Sequence, residues 1–131
     1  MVRGGPSAVR PRRVQSVDRP DLFYSPSCSK CVTAVALLNE RGIDAQLVRY
    51  LDVPPTVEDL RALMARLGID DPREMMRTGE DVYVALGLDH VSGDGLLEAI
   101  SAHPILLERP IFVVGDRAVI ARPPERLLEL L

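Results

Sequence analysis

The residues best suited to chemistry lie at Cys28-Ser29-Lys30-Cys31, which holds the chain's only two cysteines. The segment before it, Asp21–Ser25 (DLFYS), reads as a short strand that Pro26 breaks, and the segment after it reads as a helix. A thiol at the start of a helix meets the positive end of the helix dipole and N–H groups that have no partner inside the helix. Both favour the thiolate, and they can draw a cysteine pKa from about 8.5 into the range of roughly 3.5–7.5. Lys30 adds a cation nearby. Cys28 is the first and more exposed of the pair, and so the expected nucleophile. Cys31 lies one helical turn on, close enough to attack a bond made at Cys28 and close an internal disulfide. The same spacing also occurs as half of a zinc site or as inert packing, so the strand, proline turn and helix around it are what favour the redox reading. His90 and His103 lie far along the chain from the cysteines and from each other, and no metal is expected.

The elements that must position these groups can be read in order. From Cys28 to about Arg41 the apolar residues Val32, Val35, Ala36 and Leu38 fall at helical spacing, and Gly42 ends the helix. Ala45–Leu51 (AQLVRYL) is a second strand, stopped by Pro54 and Pro55. Thr56-Val57-Glu58-Asp59 resembles a capping box, and Val57, Leu60, Leu63, Met64 and Leu67 form one apolar face before Gly68. Residues 70–103 read as short helices at Pro72–Arg77, Asp81–Leu86 and Leu96–His103, separated by glycines. Asp70 and Asp71 read as turn and cap residues, Met75 and Met76 as core fill, and His103 as a capping or packing residue. Gly93-Asp94-Gly95 follows no strand and lacks a third glycine, so it is not a dinucleotide fingerprint.

Ile111–Val114 (IFVV) is a continuous apolar run, as expected of a strand covered on both faces. Gly115-Asp116 is a turn signal, Ala118–Ala121 returns as the partner strand, and Pro123 stands where a last helix, Glu125–Leu131, would begin. The order is β-α-β-α, a helical insert, a β-hairpin and a helix: an α/β fold with a mixed sheet flanked by helices. Arg109-Pro110 precedes the apolar strand. In a thioredoxin-like fold a cis-proline at this point faces the active cysteine, and Arg109 then stands beside Cys28.

A length of 131 residues suits one domain. The 47% hydrophobic and 27% charged fractions are ordinary globular values, so no disulfide scaffold or structural metal is needed. No apolar stretch approaches the roughly 18 residues that span a bilayer. A net charge of −3 argues against a nucleic-acid binder. The charge is uneven, because residues 1–20 hold five arginines against Asp18 alone, with Gly4, Gly5, Pro6, Pro11 and Pro20 and no apolar period. They read as a disordered basic arm, with residues 21–131 as the folded domain and a helical insert at about 56–106. With no secretory signal, a cytoplasmic location is expected, where a CxxC disulfide is transient and functional.

Five segments carry a resemblance: SPSCSKC (25–31), RYLDVPPT (49–56), LGIDDPREMMR (67–77), HPILLERPIFVV (103–114) and ARPPERLLELL (121–131). In order and spacing the chain resembles the arsenate reductase family of the glutaredoxin-linked ArsC type, with a thioredoxin-like fold. The resemblance implies that Cys28 is catalytic and that Arg77, Arg109 and Arg122 bind the substrate oxyanion. Arsenate is tetrahedral, arginine forks match its oxygens, and a cationic cluster also holds Cys28 as thiolate. It implies no bound cofactor. The reductant is an external thiol, either glutathione with glutaredoxin, or thioredoxin where Cys31 resolves the adduct. Tyr24 stands where the family often has a histidine, and Val32 where an arginine is common. A CxxC at this place is also the mark of Spx-type regulators, which share the fold and bind RNA polymerase. A redox-sensing transcriptional regulator and a general thiol–disulfide oxidoreductase are therefore the alternative readings.

Overall fold

The computed structural model describes residues 19–131; residues 1–18, which hold most of the expected basic arm, lie outside the described residues. Arg19 and Pro20, at the end of that arm, are tied to the fold. Arg19 pairs with Asp44 at 3.4 Å, and the Pro20 carbonyl accepts the Gln46 amide at 2.7 Å.

Four short strands form one mixed sheet. β1 is Asp21–Phe23, β2 Gln46–Val48, β3 Ile111–Val114 and β4 Arg117–Ile120, and their order is β2-β1-β3-β4. β1 runs parallel to β2 and antiparallel to β3, and β3 and β4 form the expected hairpin. Strand side chains alternate between faces, and here both faces are buried. Leu22 and Phe112 enter one core with Ala34, Leu38, Val119, Ala121 and Leu127. Phe23, Ile111 and Val113 enter the other with Leu60, Leu63, Leu96 and Ile100. This double coverage explains why IFVV has no polar position. β1 and β2 are shorter than their sequence patterns. Their ladder ends at the Phe23–Val48 pair, where the chain leaves β1 for the turn at Pro26.

Helix α1 is Ser29–Glu40, with Cys28 as its N-cap and Arg41 as its C-cap. Gly42, at φ 70°, takes the left-handed turn that lets the Ile43 amide reach back to the Leu38 carbonyl at 2.9 Å. Helix α2, Val57–Leu67, opens with the expected capping box. The Thr56 hydroxyl accepts the Asp59 amide, and the Asp59 carboxylate accepts the Thr56 amide, both at 3.0 Å.

The insert continues with a 3₁₀ turn at Pro72–Met75, α3 at Asp81–Ala85, a 3₁₀ turn at Leu88–His90, α4 at Asp94–Ala102 and a 3₁₀ turn at Pro104–Leu106. The turns at Leu88 and Pro104 are additional to the sequence reading. Arg73 ties the insert together: Nε donates to the Tyr83 hydroxyl at 2.9 Å and Nη2 to the Leu88 carbonyl at 2.7 Å. Asp71 caps the Pro72 turn, and Met75 and Met76 are buried, as expected.

The C-terminal segment departs from expectation. Pro124–Leu130 is a 3₁₀ helix, not an α-helix, and it begins at Pro124. Pro123 precedes another proline, which excludes the helical backbone at its position and leaves it extended at φ −69°, ψ 161°. No described helix is long and apolar enough to cross a membrane.

Candidate active site

Three segments converge at one end of the strands β2, β1 and β3. Phe23 ends β1 and pairs with Val48, the end of β2, and with Ile111, the start of β3. Just beyond that row stand Cys28 after β1, Tyr50 after β2 and Arg109 before β3. The Arg109–Pro110 peptide bond is cis, as the fold comparison anticipated, and so is Arg122–Pro123.

Cys28 is half-buried, and its own amide donates to the Ser25 carbonyl at 3.1 Å. Burial pushes its thiol pKa up. The Cys31 amide, the Cys31 thiol, the Arg109 guanidinium and the Lys30 amide outweigh burial and bring it down to about 7. At pH 7 about half of such a thiol is thiolate, against about one in a hundred for a thiol at 9. Lys30 acts here through its backbone N–H, while its side chain is exposed.

Cys31 is fully buried on the inner side of α1. Burial raises its pKa to about 11. The Ser25 backbone opposes that rise, and the hydrogen bond and charge shared with Cys28 reinforce it. The pair is thus asymmetric, with an outer thiol that ionises near neutrality and an inner thiol that keeps its proton. Both are free in this structure.

Arg109 is close enough to Cys28 to favour its thiolate, and its charge also acts on Cys31. Its Nε and Nη1 are buried and have no hydrogen-bond partner among the described residues. Arg122 joins the site through the backbone, with Nη1 donating to the Arg109 carbonyl at 2.9 Å and Nε 4.0 Å from Glu108. Arg77 is brought in from the insert. Its amide donates to the Leu106 carbonyl at 2.7 Å, next to the Met76–Leu107 bridge. Its guanidinium is engaged by Glu80 at 2.8 Å. The structure therefore sets Cys28, Cys31 and Arg109 within electrostatic reach of one another, attaches Arg122 to the Arg109 backbone, and shows Arg77 paired with a carboxylate.

Tyr50 was not singled out in the sequence. It is completely buried, and burial, opposed by Arg109, raises its pKa to about 12. Its only sequence signal was its place inside RYLDVPPT, where it read as a strand residue.

The model of the ArsC family matches residues 23–130, which takes in the whole of this site. The chain belongs to the ArsC family. Among relatives of this ArsC-family chain, an arsenate reductase of Neisseria meningitidis serogroup A is 45% identical over 108 residues, covering 81% of this chain and 92% of the relative. An arsenate reductase of Haemophilus influenzae is 44% identical over 112 residues, covering 84% and 97%. Among solved structures, an arsenate reductase from Vibrio cholerae superposes with a TM-score of 0.84 at 41% identity, covering 86% of this chain and 98% of its own. The thioredoxin-like fold of the ArsC family is the fold seen here.

Proposed function

We propose that this chain is an arsenate reductase. The observation that carries the reading is a half-buried thiol at the N-cap position of α1, its ionisation favoured by Arg109, whose buried Nε and Nη1 have no hydrogen-bond partner among the described residues. Cys28 thiolate attacks the arsenic of arsenate, forms a sulfur–arsenic bond and expels one oxygen as water. Arg109 neutralises the charge that builds on the arsenate oxygens. Arg77 and Arg122 bind further oxygens, exchanging their contacts with Glu80 and Glu108 for the substrate.

A second thiolate then attacks the Cys28 sulfur. A disulfide forms, the electron pair of the sulfur–arsenic bond passes to arsenic, and arsenite leaves. We assign this second thiol to Cys31, because it stands one helical turn from Cys28 on the inner side of α1 and the two thiols shift each other's ionisation. Once Cys28 is bonded to arsenic, the thiolate charge that opposes ionisation of Cys31 is gone. The Cys28–Cys31 disulfide is then reduced by an external thiol system, thioredoxin or glutathione with glutaredoxin, in a reducing cytoplasm.

The test is to mix reduced protein with arsenate in the absence of external thiol and to measure arsenite and remaining thiols. One arsenite formed for each pair of thiols lost supports the reading. Cys28→Ser abolishes arsenite, and Cys31→Ser makes it depend on added glutathione and glutaredoxin. Arsenite formation by Cys28→Ser, or no arsenite from the native protein with any thiol donor, overturns it.

A further inference from the structure

Arg77 is knitted to the segment that leads into Arg109. Its amide donates to the Leu106 carbonyl at 2.7 Å, the Glu108 amide donates to the Met75 carbonyl at 2.9 Å, and Met76 bridges to Leu107. The backbone fixes where the Arg77 side chain starts, and Glu80 fixes where it ends. Arg77 Nε donates to Glu80 Oε2 at 2.9 Å, and Nη2 lies 2.8 Å from the same oxygen. Both side chains are largely covered, with relative exposures of 27% and 23%.

Glu80 stands at the N-cap of α3 without capping it: its side chain accepts none of the helix amides and turns back to Arg77. Its own amide donates to the Arg77 carbonyl at 3.2 Å, closing the turn that returns the carboxylate to the guanidinium. The pair is thus built into the turn and needs no ligand to form it. Two donors share one carboxylate oxygen, which is not the match of two parallel bonds that makes the strongest arginine–carboxylate pairs. A tetrahedral oxyanion offers two oxygens to the same fork and, as a dianion, twice the charge. It can therefore take the place of Glu80. It must displace a charged partner to do so, and it binds less tightly than it would to an unpaired Arg77.

We propose that Glu80 is a resident competitor for Arg77, a carboxylate that holds the guanidinium until an oxyanion displaces it and so sets the affinity of the site. The inference rests on the reading of Arg77 as an oxyanion ligand beside Cys28, and its test needs no arsenate. The probe is sulfate, a tetrahedral dianion that the thiol does not reduce. The readout is the sulfate concentration that halves the rate of iodoacetamide labelling of Cys28 at constant ionic strength. Native protein is compared with Glu80→Gln, Glu80→Ser, Asp81→Asn and Arg77→Gln. Glu80→Gln keeps the length of the side chain and removes its charge, and Glu80→Ser supplies a capping hydroxyl in its place. Both should be half-protected at roughly fivefold less sulfate, the top of the range for an ion pair that keeps some contact with water. Asp81→Asn removes the exposed charge next in sequence and should change the value less than about 1.5-fold. Arg77→Gln should raise it.

Unchanged or weaker protection in the Glu80 variants overturns the proposal, and weaker protection would make Glu80 a brace that aims Arg77. An equal gain in Asp81→Asn also overturns it, since the effect would then be one of overall charge. If sulfate protects none of these proteins, or Arg77→Gln leaves protection unchanged, Arg77 is no oxyanion ligand and the proposal falls with that reading. Weaker protection in Arg77→Gln without a gain in the Glu80 variants strikes the proposal alone. Failure of arsenate reduction in the native protein leaves the sulfate titrations standing.

Discussion

Replacing Arg109 with glutamine removes a full positive charge that favours the Cys28 thiolate while keeping a side chain of similar reach. The size of the effect follows from the four groups that favour the thiolate: two amides, the Cys31 thiol and this guanidinium. A hydrogen bond to a charged partner contributes roughly 1.5–3 kcal/mol when buried. Cys28 is half-buried, and screening brings the share of Arg109 to about 1.4 kcal/mol, or about one pH unit. The Cys28 pKa in Arg109→Gln should therefore move from about 7 to about 8. At pH 7 the thiolate falls from about half to about a tenth of the molecules, and iodoacetamide labelling slows about fivefold. At pH 9.5 native and variant should label at nearly the same rate, because both are then ionised. This convergence separates a pKa effect from blocked access. Labelling that is slowed equally at every pH, or a pKa that does not move, refutes the assignment of Arg109 as the counter-charge.

Two further expectations concern folding. Asp21 is buried at the start of β1 with Oδ2 unpaired among the described residues, and burial, opposed by Arg19 and Arg66, raises its pKa from 3.8 to about 6. Between those values the folded chain keeps a proton that the unfolded chain has lost. Stability from this residue thus falls as pH rises through the window, by roughly 1–3 kcal/mol after allowance for screening. Urea unfolding from pH 4 to 7 should show that slope in the native protein and a flatter one in Asp21→Asn; equal slopes would remove Asp21 as its source. Thr56→Ala breaks the capping box of α2 and should cost about 1 kcal/mol in the same assay, with no change in Cys28 labelling.

What could be read from the sequence was what local chemistry decides. Cys28 caps α1 because a strand, a proline turn and a helical pattern follow one another within a few residues. Thr56 and Asp59 close on each other because their i, i+3 spacing brings each side chain to the other's amide, which has no partner inside the helix. Pro110 could be marked because it stands directly before an apolar strand. The rest depended on contacts between distant segments. Nothing along the chain shows that the Tyr50 hydroxyl is buried without a hydrogen-bond partner beside Arg109, since that depends on β1, β2 and β3 ending in one row. The pairing of Arg77 with Glu80 ties an expected oxyanion ligand into an ion pair, and the spacing of arginines along a chain does not reveal which are already engaged. The C-terminal helix is 3₁₀ and begins at Pro124, a residue before the expected Glu125, while the proline after Pro123 keeps Pro123 extended and outside it.

The difference in depth between the two thiols sets the order and the timing of any reaction at this site. A molecule arriving from solution can meet Cys28 but not the fully buried Cys31. On the proposed mechanism, Cys31 meets what Cys28 already carries. A step between them is first order: dilution does not slow it and a surplus of solution thiol does not speed it. If Cys31 is the thiol that resolves an adduct on Cys28, the lifetime of that adduct is a property of the polypeptide, fixed by one turn of α1.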